Sequence, residues 1–207
     1  IVWHPVIQGM MPVLKPSQSG CLRPLRQLRS GTAHERPSRS QGLFRRGQEL
    51  DQRANDTFVQ VFEDYGGLVK ALVSEEMEKP WQVGGGGVES RQQGNYVVFL
   101  DPLDGSSNLD ADLSVGSIFS IHRLAGADQA DLPTQLLRRG VDQVAAGYIL
   151  YGPSTVLVYT AGAGVHQFVL DPGIGEFVLS ASRLKMPSRG KVYSANEGNY
   201  PRWPRGV

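Results

Sequence analysis

Residues 144–180 read VAAGYILYGPSTVLVYTAGAGVHQFVLDPGIGEFVLS, and the spacing of their turns sets the fold class. Four runs rich in β-branched and aromatic residues, Val144–Tyr151, Thr155–Thr160, Val165–Leu170 and Glu176–Leu179, are separated by Gly, Pro or Asp-Pro turns. Connections this short join antiparallel neighbours, whereas a parallel crossover needs a dozen residues or more. The reading is an antiparallel meander. Upstream, Gly116–Arg123 and Tyr96–Leu100 read as two more strands, the second a buried run ending at Asp101. Leu68–Ser74 reads as a short strand running into Glu75-Glu76. Before it, Leu50, Ala54, Phe58, Val61, Phe62 and Tyr65 recur at steps of three and four, which predicts a helix from about Gly47 to Gly66-Gly67. Gly84–Gly87 reads as a flexible loop, and a last short run, Lys191–Ala195, leads into Asn196-Glu197-Gly198. Together these predict an α+β fold, a mixed and largely antiparallel sheet flanked by helices.

The composition narrows the class of protein. The chain has 207 residues, 40% hydrophobic and 20% charged, with a formal net charge of +1. That is enough apolar material for one generous core, and no overall basic excess calls for nucleic acid or an anionic membrane as partner. The single cysteine, Cys21, excludes an internal disulfide and a multi-thiolate metal site, and it points to a reducing, cytoplasmic compartment. No apolar run approaches the roughly 18 residues of a membrane span. The charge is unevenly spread, however. Residues 1–50 carry eight Lys and Arg against two acids, while the rest carry thirteen against eighteen. Residues 1–43 form a basic, proline-interrupted leader without sustained period, read as disordered or foreign to the remainder of the chain. A transit peptide, which would place the protein in a plastid, and a basic binding arm are its other readings. Residues 44–200 are then the folded unit, and 201–207 a tail expected to be truncated.

The chemistry concentrates in Asp101-Pro102-Leu103-Asp104-Gly105-Ser106-Ser107-Asn108, directly after a buried strand. Both carboxylates emerge where a sheet meets solvent, and with the Leu103 carbonyl they make an oxygen cage suited to a hard divalent ion such as Mg²⁺. Gly105, Ser106 and Ser107 can turn successive backbone N–H groups toward an anion. A cation clamp touching an anion cradle suits phosphoryl chemistry. A bare D-x-x-D-G is a common turn, so the weight rests on the longer string; no Gly-Lys-Ser/Thr follows, which excludes a Walker loop. Glu75-Glu76 also ends a strand; alone it reads as a solvated pair, beside Asp101 and Asp104 as a second carboxylate cluster. His4, His34, His122 and His166 read as surface or packed residues, and Trp3, Trp81 and Trp203 lack the basic interleaving of a single-strand binder.

These strings also carry a family resemblance. Leu72–Glu76, Tyr96–Asn108, Ser114–Phe119, Ala145–Tyr148, Leu170–Phe177 and Tyr193–Gly198 follow one another as in class I fructose-1,6-bisphosphatase. The Asp-Pro-Leu-Asp-Gly-Ser core resembles the wider Mg²⁺-dependent, lithium-sensitive sugar and inositol phosphatases. The resemblance covers roughly residues 47–200 and implies a layered α/β/α fold, here mainly its N-terminal half. By it, Glu75, Asp101, Leu103 (through its carbonyl) and Asp104 resemble metal ligands. Asp51 and Glu76 resemble the carboxylates that orient or deprotonate the attacking water. Asp104, Gly105, Ser106, Ser107 and Asn196 would contact the sugar phosphate. The implied reaction is hydrolysis of the 1-phosphate of fructose 1,6-bisphosphate with Mg²⁺, Mn²⁺ or Zn²⁺, in a homo-oligomer, typically a tetramer.

Several departures shape the expectation further. The family's next segment supplies another metal-binding glutamate and most contacts to the sugar and its 6-phosphate, and the chain stops before it. No counterpart of the family's mobile catalytic loop is recognisable in Phe44–Gln48, and the leader does not resemble the amino-terminal region that binds AMP. Little or no turnover is therefore expected of these 207 residues. A sheet face is expected to lie exposed as an apolar patch. The alternatives are a non-catalytic interaction variant of the family, a sedoheptulose-bisphosphatase, or an inositol-monophosphatase-type enzyme.

Overall fold

In a computed structural model, residues 39–204 are described except 66, 85–93, 125–131, 138 and 194–196. The first element is the helix α1 (Arg39–Tyr65), followed by strands β1 (Val69–Ser74), β2 (Trp81–Gln82), β3 (Tyr96–Asp104) and β4 (Val115–Arg123). A 3₁₀ turn, Ser106–Ala111, lies between the last two. A five-residue helix α2 (Leu132–Leu136) then leads to β5 (Gln143–Tyr151), β6 (Thr155–Thr160), β7 (Val165–Asp171) and β8 (Glu176–Leu184), and a further 3₁₀ stretch, Glu197–Arg202, comes last. All eight strands form one sheet in the order β2-β1-β3-β4-β5-β6-β7-β8. Among the described residues, only β1 and β3 run parallel; every other pairing is antiparallel. The expected α+β, largely antiparallel sheet is what forms.

Period decides which face each strand buries. The register pairs Leu72 with Val98, Val98 with Ile121 and Leu100 with Phe119, so these side chains share one face. Ala145, Ile149, Leu157 and Phe168 continue that face across β5–β7. α1 lays Phe58 and Phe62 on the same core, both essentially buried. The Glu63 carboxylate accepts hydrogen bonds from Trp81 Nε1 at 2.6 Å and Gly84 N at 3.0 Å, which ties the helix to the β2 edge. The opposite face is closed at Ala71, Val97 and His122 but open farther along. There Ile118, Tyr148, Leu150 and Val178 remain 48%, 47%, 42% and 49% exposed, the apolar patch expected from the sequence.

The boundaries differ from the sequence reading in three places. α1 begins at Arg39 rather than near Gly47, reaching into residues read as leader. No proline interrupts the chain between Pro37 and the end of the helix, so the apolar stripe, which starts only at Leu50, understates it. β8 runs on to Leu184 instead of stopping at Leu179 because pairing with β7, not its own polar composition, holds Ser180–Leu184. Lys191–Tyr193 form no strand; Val192 and Tyr193 stand 90% and 78% exposed, outside the sheet. Among the described residues, one long α-helix and one short one accompany the sheet, consistent with part of a layered α+β fold. No helix among the described residues is long and apolar enough to cross a membrane.

Gly147 shows how tightly the sheet core closes. A Cβ there would stand 2.5 Å from the Val158 carbonyl oxygen, 2.7 Å from Tyr159 Cβ and 2.8 Å from Phe119 Cζ. The missing side chain is the space the Phe119 ring occupies. Gly147→Ala is expected to destabilise by about 1–3 kcal/mol in denaturant titration, the usual range for overpacking. Gly140→Ala, whose added methyl meets nothing within 4 Å, should stay within about 0.5 kcal/mol of the parent.

Candidate active site and metal-binding cluster

The acidic cluster depends on one extra residue in β3. Asp101 pairs with Ile118 and Asp104 with Gly116, so three steps on β3 match two on β4. In a regular strand, residues three apart point to opposite faces. The bulge restores the phase and puts both aspartates on the Ile118 face. Proline suits the bulge because it has no N–H to lose from the ladder. The Leu103 N–H donates instead to Asp101 Oδ1 at 3.1 Å, while Leu103 itself is 9% exposed. One strand over, Glu75 lies just past the end of β1, and its N–H donates to the Leu100 carbonyl at 3.1 Å. That parallel register sets Glu75 beside Asp101. The Glu76 N–H meets Ser74 Oγ at 3.3 Å.

α1 brings in the fifth carboxylate, Asp51, from the other side of the sheet end. Its side chain accepts a hydrogen bond from Ser106, and its Oδ1 is buried without a partner. Asp51 is raised above the usual carboxylate range, first by burial and then by the Glu75 charge, with the Ser106 bond working the other way. Glu76 is raised by burial and by Asp51 and Glu75. Asp101 is raised from 3.8 to about 6, first by burial, then by its hydrogen bond and charge contact with Glu75, with Asp104 adding to the repulsion. Among the described residues, no positive side chain offsets any of the three.

Next to the acids lies a turn shaped for an anion. Gly105 adopts φ 76°, ψ 29°, a left-handed conformation, and an added Cβ would stand 2.9 Å from Asn108 Nδ2. The positive φ favours glycine there, while the flexible Asn108 amide could give way. The adjoining 3₁₀ turn is closed by Asn108 N donating to the Gly105 carbonyl at 2.8 Å, and no side chain caps its start. The first N–H groups of such a turn have no partner within the turn itself. A pocket of about 270 Å³ opens against Asp104, Gly105, Asn108, Ser114 and Tyr148. A broader groove of about 690 Å³ runs over Phe99, Ile118, Tyr148 and Val158, with Glu75 and Asp101 at its rim.

The structure therefore brings Asp51, Glu75, Glu76, Asp101 and Asp104 to one sheet end beside Gly105, Ser106 and Ser107. Asn196, His4 and His34 lie outside the described residues; His122 and His166 sit in β4 and β7, away from the carboxylates. Sequence reasoning assigned no role to Ser117. Its signal was a polar residue on the inward side of an otherwise apolar alternation, Val115, Phe119 and Ile121.

The chain is similar to known proteins over most of its length. Residues 39–182 match the sequence profile described as fructose-1-6-bisphosphatase, N-terminal domain. The chain belongs to the fructose-1,6-bisphosphatase family. It is 53% identical over 156 residues to the class 1 fructose-1,6-bisphosphatase of Trichodesmium erythraeum, covering 75% of this chain and 43% of that protein. It is 49% identical over 156 residues to the class 1 enzyme of a Synechocystis strain, covering 75% of this chain and 44% of that protein. The structure of Leishmania major fructose-1,6-bisphosphatase in its T-state superposes with a TM-score of 0.75 at 33% identity, covering 97% of this chain and 58% of that one. The chain thus spans less than half the length of the curated relatives it matches.

The family is in general metal-dependent, and the donor chemistry here fits a hard divalent cation. The donors are oxygens, they repel one another, and Asp51 Oδ1 is a buried acceptor without a donor. Among the described residues, no three Asp, Glu, His or Cys side chains yet meet round a single point. The cluster is open, and a cation would have to draw it together.

Asp101→Asn tests this electrostatic reading. Folding lifts the Asp101 carboxyl from 3.8 to about 6, so its ionised form weakens the metal-free fold above about pH 6. The cost fades as pH falls through 6 toward 4. In chelator at neutral pH the variant should be more stable than the parent by about 1 kcal/mol in denaturant titration, allowing for solvent screening of a half-buried group. With Mg²⁺ in hundredfold excess over its Kd the parent should gain about 2.7 kcal/mol, reversing the order.

Proposed function

We propose that the site hydrolyses the 1-phosphate of fructose 1,6-bisphosphate to fructose 6-phosphate and inorganic phosphate. The observation that carries this reading is the hydrogen bond between Ser106 and Asp51, which joins the anion turn to the carboxylate cluster. A group that holds a phosphate and a group that takes a proton from water then stand within one contact of each other. Family membership supports the substrate class.

Each residue has a role set by its chemistry. Glu75, Asp101, Asp104 and the Leu103 carbonyl would hold the divalent cation, Mg²⁺ by preference and Mn²⁺ or Zn²⁺ as alternatives, which supplies charge neutralisation for a dianionic ester. The N–H groups of Gly105, Ser106 and Ser107 orient the 1-phosphate and stabilise charge on its oxygens in the transition state. Asp51 and Glu76, both raised from their ordinary values by burial and neighbouring acids, accept the proton of the attacking water. The new P–O bond forms from that water as the P–O bond to the C1 oxygen breaks, and the C1 oxygen takes a proton from bulk water to leave as the alcohol of fructose 6-phosphate. Asn196 is assigned to the sugar's phosphate by the resemblance alone. We further propose a homo-oligomer, as is typical of the family. The compartment proposed is the cytoplasm, on the single cysteine, with a plastid as alternative on the Arg- and Ser-rich leader.

The test is Mg²⁺-dependent phosphate release by the purified chain, with fructose 1,6-bisphosphate, sedoheptulose bisphosphate and inositol monophosphate side by side. Fructose 1,6-bisphosphate should be preferred, at a rate well under the roughly 10 s⁻¹ of a typical enzyme. Asp51→Asn and Glu76→Gln should each lower that rate by about 10²–10⁴. Preference for inositol monophosphate, or release untouched by both substitutions, would refute the assignment.

A further inference from the structure

The β3 bulge has to be held open by something other than the ladder. Pro102 and Leu103 fall between the paired positions Asp101 and Asp104, so neither has a register partner on β4. The Leu103 N–H is taken by Asp101 Oδ1. The Pro102 carbonyl is taken by a side chain of the neighbouring strand: Ser117 Oγ donates to it at 2.7 Å. Ser117 is 1% exposed, and no solvent competes for this bond. Its oxygen lies 3.0 Å from the hydroxyl of Tyr151 on β5. Ser117 has one proton, committed to Pro102, so the Tyr151 hydroxyl is the donor to Ser117. A directional relay results, from Tyr151 through Ser117 to the peptide between the two aspartates.

We propose that Ser117 and Tyr151 are positioning residues for the cation site. They fix the Pro102 carbonyl, hence the bulge, hence the common facing of Asp101 and Asp104 and the placement of the Leu103 peptide. Without the Ser117 hydroxyl, a buried carbonyl loses its side-chain donor, and relaxing the bulge to recover a ladder bond turns one aspartate away. The inference rests on the reading of the acidic cluster as a cation site, and it extends that reading to groups behind the ligands, where such partners typically govern affinity by about 10–100-fold.

The experiment measures binding of Mg²⁺ alone by calorimetry, alongside melting in chelator. Ser117→Ala is expected to weaken Mg²⁺ about tenfold or more, whereas Ser117→Thr, which keeps the hydroxyl, should bind within about twofold of the parent. Tyr151→Phe should fall between the parent and Ser117→Ala. Leu157→Val, a core change on β6, should lower the melting temperature and leave the Kd alone, which separates positioning from general loosening. Parental affinity in Ser117→Ala overturns the inference while leaving the cation site standing, and equal loss in Ser117→Thr overturns it too. If Ser117→Ala fails to fold, parental affinity in Tyr151→Phe does the same. Absence of saturable Mg²⁺ or Mn²⁺ binding by the parent chain refutes the cation reading itself, and the positioning role falls with it.

Discussion

Glu75, Asp101 and Asp104 gather at the same sheet end, with both aspartates on one face, because β3 carries one residue more than the stretch of β4 it pairs with. The common facing of the two aspartates depends on that phase shift. A regular strand would send the two aspartates to opposite faces, one into the core beneath α1 and one into the open. A buried lone carboxylate there would cost several kcal/mol and would be selected against. With the bulge, both carboxylates stay at the rim, and the core face continues past them through Val115, Ser117 and Phe119. The bulge thus separates two functions of one strand: its first half packs, and its second half presents charge.

Presenting that charge works against folding. Asp101 is pushed to about 6, and Asp51 and Glu76 are raised as well, with only other acids and burial as the raising causes. No lysine or arginine among the described residues relieves them, although such a residue would be the simplest stabilising change. A resident side-chain cation would occupy the space a divalent ion needs and could not leave or exchange. A cluster well supported by hydrogen bonds yet lacking a counter-charge is the local inconsistency that marks a functional site in a fold whose other parts agree with one another.

Much of this was legible in the sequence, and the legible part is local. The meander could be read because alternation, turn residues and short connections are all encoded within a few positions. The Asp101–Asn108 string could be read because an apolar strand running into acids and glycine has few purely structural explanations. What could not be read is phase and partnership across distance. Nothing in Asp-Pro-Leu-Asp states that β4 spends two residues opposite three. Nothing near Asp51 states that it meets Ser106, 55 positions on. The final residues of β8 and the first turns of α1 were missed for the same reason: their conformation is set by neighbours, while their own composition is polar.

The open face beside the cluster bears on how strongly the acids can act. Ile118, Tyr148 and Leu150 line the ground between the anion turn and the groove, and each is at least 42% exposed. Water therefore reaches the carboxylates from that side. At an effective dielectric near that of a protein surface, two unit charges 4 Å apart interact by about 4 kcal/mol, and in bulk water by about 1. Coupling between charges is thus several-fold weaker where water surrounds them than where protein screens them from it. Covering Ile118, Tyr148 and Leu150 with an apolar surface would raise the repulsion among the acids without moving a single side chain, and either a proton or a cation would relieve it.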